Sequence, residues 1–110
     1  AEQSKKNPAF PERNTIDGVL NFNGVPDENY PPLLRSFNTK YDECFDVIAE
    51  DAYETGRNLV SQEGFFVGQS AGAALWTATQ IARRPEAAGK NIVVILADNA
   101  FKYLSTNMYR

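Results

Sequence analysis

Apolar and polar positions along the chain change period several times, and each change marks an element. Residues Ala1 to Thr15 are polar, with Lys5, Lys6, Pro8 and Pro11, and read as a flexible or extended lead-in. Ile16 to Phe22 (IDGVLNF) reads as a short strand that Asn23-Gly24 ends in a turn. Pro26, Pro31 and Pro32 make the next stretch a loop, pinned to the core by Leu33 and Leu34. Cys44 to Ile48 (CFDVI) is a second strand candidate. Glu50 to Gln62 reads as a helix, because Ala52, Tyr53, Gly56, Leu59 and Val60 recur on one face. Glu50 and Asp51 suit its positive N-terminal end, and Gly64 is a natural stop. Phe65 to Gly68 (FFVG) is a third strand. Ala71 to Arg83 follows as a helix that is apolar on most sides and closes on Arg83, Arg84 and Pro85. Asn91 to Leu96 (NIVVIL) is an unbroken apolar run of the kind buried on both faces of a parallel sheet. Strand, helix, strand, helix, strand predicts an α/β fold, a mostly parallel sheet flanked by helices.

Composition narrows the chemistry. At 110 residues the chain is one domain at most, and 43% hydrophobic with 23% charged residues is ordinary for a soluble globular protein. A formal net charge of -3 offers no basic face to nucleic acid or to an acidic membrane. No apolar run approaches the roughly 20 residues of a membrane span, and no signal-peptide pattern is visible. Cys44 is the single cysteine, so no internal disulfide can form, which fits a reducing, cytoplasmic setting. The sequence has no histidine, which removes the usual general base of hydrolases and the commonest metal ligand. No metal site is expected. A start without Met points to a processed, engineered or fragmentary chain.

The turn Gly68-Gln69-Ser70-Ala71-Gly72, between a strand and a helix, holds the densest chemical information, and it admits three readings. As G-x-S-x-G it matches the nucleophile elbow of α/β-hydrolases, but that serine needs a histidine within reach, which another polypeptide would have to supply. As the start of a helix it offers backbone N–H groups and a positive dipole end to an electron-rich ligand, and the Ser70 hydroxyl could donate to an aromatic nitrogen there. As a plain structural residue, Ser70 caps the helix.

The flanking sequence adds a resemblance. Glu63-Gly64-Phe65-Phe66-Val67-Gly68-Gln69-Ser70-Ala71-Gly72 resembles the E-G-x-x-x-G-x-S-[SAT]-G motif of the cysteine synthase and cystathionine β-synthase family. Gly89-Lys90-Asn91-Ile92-Val93-Val94-Ile95-Leu96 looks like its G-K-x-I-V-V-[IV]-L strand, and Lys102-Tyr103-Leu104-Ser105-Thr106 like its R-Y-L-S-T ending. Upstream, Glu50-Asp51-Ala52 with Gly56-Arg57-Asn58-Leu59 matches the family's preceding helix, and Ile16-Asp17-Gly18-Val19 the strand before it. Five matches in order, at matching spacings, cover most of Ile16 to Thr106 and correspond to the C-terminal third of a family member.

The resemblance implies a fold type II pyridoxal 5'-phosphate (PLP) enzyme of two domains. Residues 16–110 then form the C-terminal segment of the larger one. Ser70 corresponds to the serine that hydrogen-bonds the PLP ring nitrogen, and Gly68 and Gly72 to the residues that shape the turn beneath the ring. The implied activity is β-replacement, in which activated serine and sulfide or a thiol give cysteine; cystathionine β-synthase or diaminopropionate synthase activity is the alternative within the fold. A non-catalytic subunit or binding module of the same fold is the alternative outside catalysis. The Schiff-base lysine, the substrate-carboxylate loop and the G-T-G-G-T phosphate cradle lie upstream in the family, so no catalytic residue is expected in this chain. Its expected partners are a complementary N-terminal part carrying that lysine and, for the complete enzyme, a second copy. Ser4-Lys5-Lys6 has the S-x-K spacing but no strand or helix around it, and Lys40, Lys90 and Lys102 read as solvent-facing. Ala97-Asp98-Asn99 stands where the family has P-S-S or P-D-S. Asp98 reads as a solvated turn residue, the alternative being a hold on a water or a ring substituent.

Overall fold

The computed structural model describes Ile16, Val19, Glu28, Pro32 and residues 41–109. Two helices dominate. Helix α1 spans Ala49–Glu63 and helix α2 spans Gln69–Ala82, within two residues of the boundaries that periodicity predicts. Glu50 and Asp51 occupy the first turn of α1, where carboxylates meet the positive end of the dipole. Gly64 ends α1 with φ 77°, a left-handed conformation that costs glycine little, and its N–H returns to the Val60 carbonyl at 3.0 Å. Helix α2 stops before Arg83 because Pro85 cannot continue it; Pro85–Ala87 forms a single 3₁₀ turn instead.

The helices meet through small side chains. A Cβ on Gly72 would lie 2.3 Å from the Ala52 carbonyl oxygen, so only glycine lets α2 approach α1 this closely. Ala49, Ala52 and Tyr53 of α1 and Ala73 of α2 form a buried cluster with Met108. The chain's last stretch therefore returns to cover the crossing. Arg57 fastens it by donating from Nη1 to the Met108 carbonyl at 2.9 Å, while its other nitrogen pairs with Glu50.

The expected sheet is not formed among the described residues. Ile16 to Phe22 lies largely outside them, and the Val19 N–H donates back to the Ile16 carbonyl at 3.3 Å, a turn contact rather than a ladder. The lead-in Ala1 to Thr15 and the loop residues Leu33 and Leu34 also lie outside. Cys44 to Ile48 runs without strand pairing, tied to the end of α2 by Glu43, which accepts two hydrogen bonds from Arg84 at 2.8 and 2.6 Å. Phe65 to Gly68 contributes one isolated antiparallel bridge, Val67 to Asn99. Asn91 to Leu96, expected to be buried on both faces, is exposed instead, with Val93 85% and Ile95 73% accessible. The physical reason is plain: a strand apolar on both sides needs neighbours in its own plane and layers above and below, and the described residues supply none of them.

Candidate functional site

The site is the turn that opens α2. Gly68 takes the cap position with φ -82° and ψ -176°, an extended conformation open to any residue, so backbone strain does not explain the glycine. Space does. A Cβ there would lie 2.4 Å from both carboxylate oxygens of Asp98. The Gly68 N–H donates to the Asp98 carbonyl at 3.3 Å, the Ala100 N–H to the Phe66 carbonyl at 3.1 Å, and the Gly72 N–H to the Gly68 carbonyl at 3.2 Å as the first bond of α2. Residues 66–68 and 98–100 thus lie side by side, and the turn rests on the second segment.

Asp98 is not the solvated residue expected from sequence. Its Oδ2 accepts a hydrogen bond from the Tyr103 hydroxyl at 2.9 Å, and its Oδ1 is buried without a partner. Tyr103, only 2% exposed, reaches back through the 3₁₀ turn Phe101–Tyr103, which starts where Asn99 Oδ1 accepts the Phe101 N–H at 3.1 Å. Burial, reinforced by the Asp98 carboxylate, raises the Tyr103 pKa above the ordinary tyrosine value. Tyr109 braces the other flank: its hydroxyl donates to the Val67 carbonyl at 2.6 Å, its ring packs on Phe66 at 5.0 Å, and burial raises its pKa as well.

Ser70 is half-buried and stands second in α2. The cap is Gly68, so the reading of Ser70 as the helix cap fails. Among the described residues its hydroxyl takes part in no hydrogen bond, and no acidic side chain lies in the first turn of α2. What stands at the turn is a hydroxyl donor without a partner among the described residues, at the positive end of a fourteen-residue helix. The elbow reading finds no support. The chain has no histidine, and Asp98, the carboxylate packed against the turn, bonds Tyr103 and not Ser70.

The other candidates stay apart. Lys90 and Lys102 are exposed, as expected, with the Lys102 ammonium 5.0 Å from the Tyr103 ring centroid; Lys40 and Ser4-Lys5-Lys6 lie outside the described residues. Cys44 is a free, exposed thiol. A groove of about 480 Å³ runs between α1 and α2, but Leu75, Trp76 and Arg83 line its α2 side, beyond the turn. Sequence reasoning missed Tyr103 and Tyr109 as supports of the turn. Their one signal was a pair of tyrosines following Asp98 in a stretch otherwise rich in turn residues.

No family model matches the sequence. Individual proteins do. The chain is 41% identical over 81 residues to a probable cysteine synthase of Bacillus subtilis, a match covering 72% of this chain and 24% of that protein. It is 41% identical over 104 residues to the cysteine synthase of Aquifex aeolicus, covering 93% of this chain and 30% of the relative. The crystal structure of cysteine synthase from Entamoeba histolytica superposes with a TM-score of 0.60 at 37% identity, over 62% of this chain and 20% of that one. The chain thus spans less than a third of the length of the relatives it matches.

Proposed function

The chain belongs to the cysteine synthase and cystathionine β-synthase family, whose C-terminal portion it matches, and we propose that it supplies the ring-nitrogen side of a PLP site in a β-replacement enzyme. Pyridoxal 5'-phosphate, when bound, supplies the electron sink for replacing the β-substituent of an activated serine by sulfide or a thiol. The observation that carries this reading is Ser70: a hydroxyl not used for capping, at the start of α2, with no carboxylate in the helix's first turn. Such a donor suits an unprotonated aromatic nitrogen, because a hydroxyl can donate to it while the positive helix end disfavours adding a proton. The residues present therefore fit the group at this one point.

In this reading Ser70 donates a hydrogen bond to the ring nitrogen and keeps it neutral. Gly68 and Gly72 allow the close approaches, to Asp98 and to α1, that hold the turn in place. The lysine, the phosphate cradle and the substrate-carboxylate loop come from the complementary N-terminal portion. Ser70 alone cannot retain the cofactor. One hydrogen bond is worth roughly 0.5–1.5 kcal/mol net, whereas micromolar affinity needs about 8 kcal/mol.

The test compares two substitutions in the assembled enzyme. Ser70→Ala should keep PLP bound, shift its absorbance and lower the rate moderately. Ser70→Asp should be much worse, since a carboxylate would stabilise a proton on the ring nitrogen. Equal activity of the two variants, with unchanged cofactor absorbance, would remove Ser70 from the site.

A further inference from the structure

A carboxylate with one buried oxygen left without a partner is expensive, and a residue kept in that state calls for a reason. At Asp98 the reason lies in what it touches. Both of its oxygens occupy the space where a Gly68 side chain would begin, 2.4 Å from the position of a Cβ. Its carbonyl oxygen accepts the Gly68 N–H. Side chain and main chain of one residue thus hold the same glycine. Tyr103, itself buried, fixes the carboxylate from behind through its hydroxyl. The glycine so held is the cap of α2, whose carbonyl accepts the first helical hydrogen bond. Ser70 follows two residues later on the same rigid turn.

We propose that Asp98, clamped by Tyr103, is a positioning residue that fixes the start of α2 and thereby the direction of the Ser70 hydroxyl. The inference rests on the cofactor-facing role proposed for Ser70. It assigns Asp98 no contact with the cofactor or the reacting atoms. A side chain of the same outline preserves the clamp: asparagine fills the volume of aspartate and still offers Tyr103 an acceptor. Alanine empties the space over Gly68 and frees the turn.

The experiment measures the absorbance band of bound PLP in the assembled holoenzyme, beside its thermal unfolding, for Ser70→Ala, Asp98→Ala, Asp98→Asn and Tyr103→Phe. Asp98→Ala should shift the band in the same sense as Ser70→Ala and slow turnover on the order of tenfold to a hundredfold, as small displacements of reacting groups do. Asp98→Asn should restore the wild-type band. Tyr103→Phe, which keeps the ring and loses only the hydroxyl, should give a smaller shift in the same direction, and it carries the test should Asp98→Ala fail to fold. A band that stays put in Asp98→Ala and Tyr103→Phe while Ser70→Ala moves it would overturn the positioning role alone, whatever happens to the melting temperature. A band unmoved even by Ser70→Ala would overturn this inference together with the cofactor role of Ser70.

Discussion

Ser70 and Asp98 show how differently two residues of one site can be read. Ser70 stands out in the sequence because its context is local: a serine between two glycines, just ahead of an apolar helix. What sequence left open was whether it caps the helix, and the structure answers by placing Gly68 at the cap. Asp98 was misread because its environment depends on the fold: Gly68, thirty residues earlier, packs against it, and Tyr103, five residues on, folds back to it through a 3₁₀ turn. An aspartate among turn residues is usually solvated, and a tyrosine five residues on does not by itself say which way its ring will fold. Tyr103, which is buried, and Tyr109, which is partly buried, yield a prediction at this scale. Their pKa values are raised in the folded chain, so the unfolded chain releases these protons first. The stability they contribute is complete below about pH 10 and is lost as pH rises through the higher folded values. The unfolding midpoint should therefore fall above that pH, and Tyr103→Phe should flatten the fall. An equally steep decline in the variant would show that Tyr103 does not ionise late.

The helices were read correctly because their signals are short-range. Ala52, Tyr53 and Gly56 mark one face of α1, Gly64 its end, and Pro85 the limit beyond which α2 cannot run. The closeness of the two helices was not legible, since it depends on which small residues face each other. That pairing distinguishes two glycines. At Gly72 a Cβ would strike the Ala52 carbonyl, part of a rigid helix backbone, whereas at Gly56 it would meet the terminal methyl of Met108, which can swing aside. Gly72→Ala should destabilise the fold by about 1–3 kcal/mol, the range of overpacked cores, and Gly56→Ala by less. Chemical denaturation of the two variants checks the order. The reverse order would mean that Met108 cannot yield. The Glu43–Arg84 pair, exposed on the surface, should matter little: Arg84→Ala should change the midpoint slightly, and less still in high salt.

At the scale of the whole molecule, the apolar run Asn91 to Leu96 carries the clearest message. Sequence reads it as a doubly buried strand, yet here Val93 and Ile95 face outward without strand partners among the described residues. Burial of a central strand is a property of the sheet around it, and the relatives are more than three times the length of the matched segment. The same reasoning applies to chemistry: in the proposed reading, the turn at Ser70 presents one donor to a cofactor whose other anchors lie on the complementary portion. Equilibrium dialysis with PLP tests this directly, comparing the chain alone with the chain joined to the upstream portion of the Aquifex aeolicus relative. The account predicts no tight uptake by the isolated chain and stoichiometric uptake once the two portions are joined. Tight stoichiometric binding by this chain alone, or none by the folded joined protein, would contradict it.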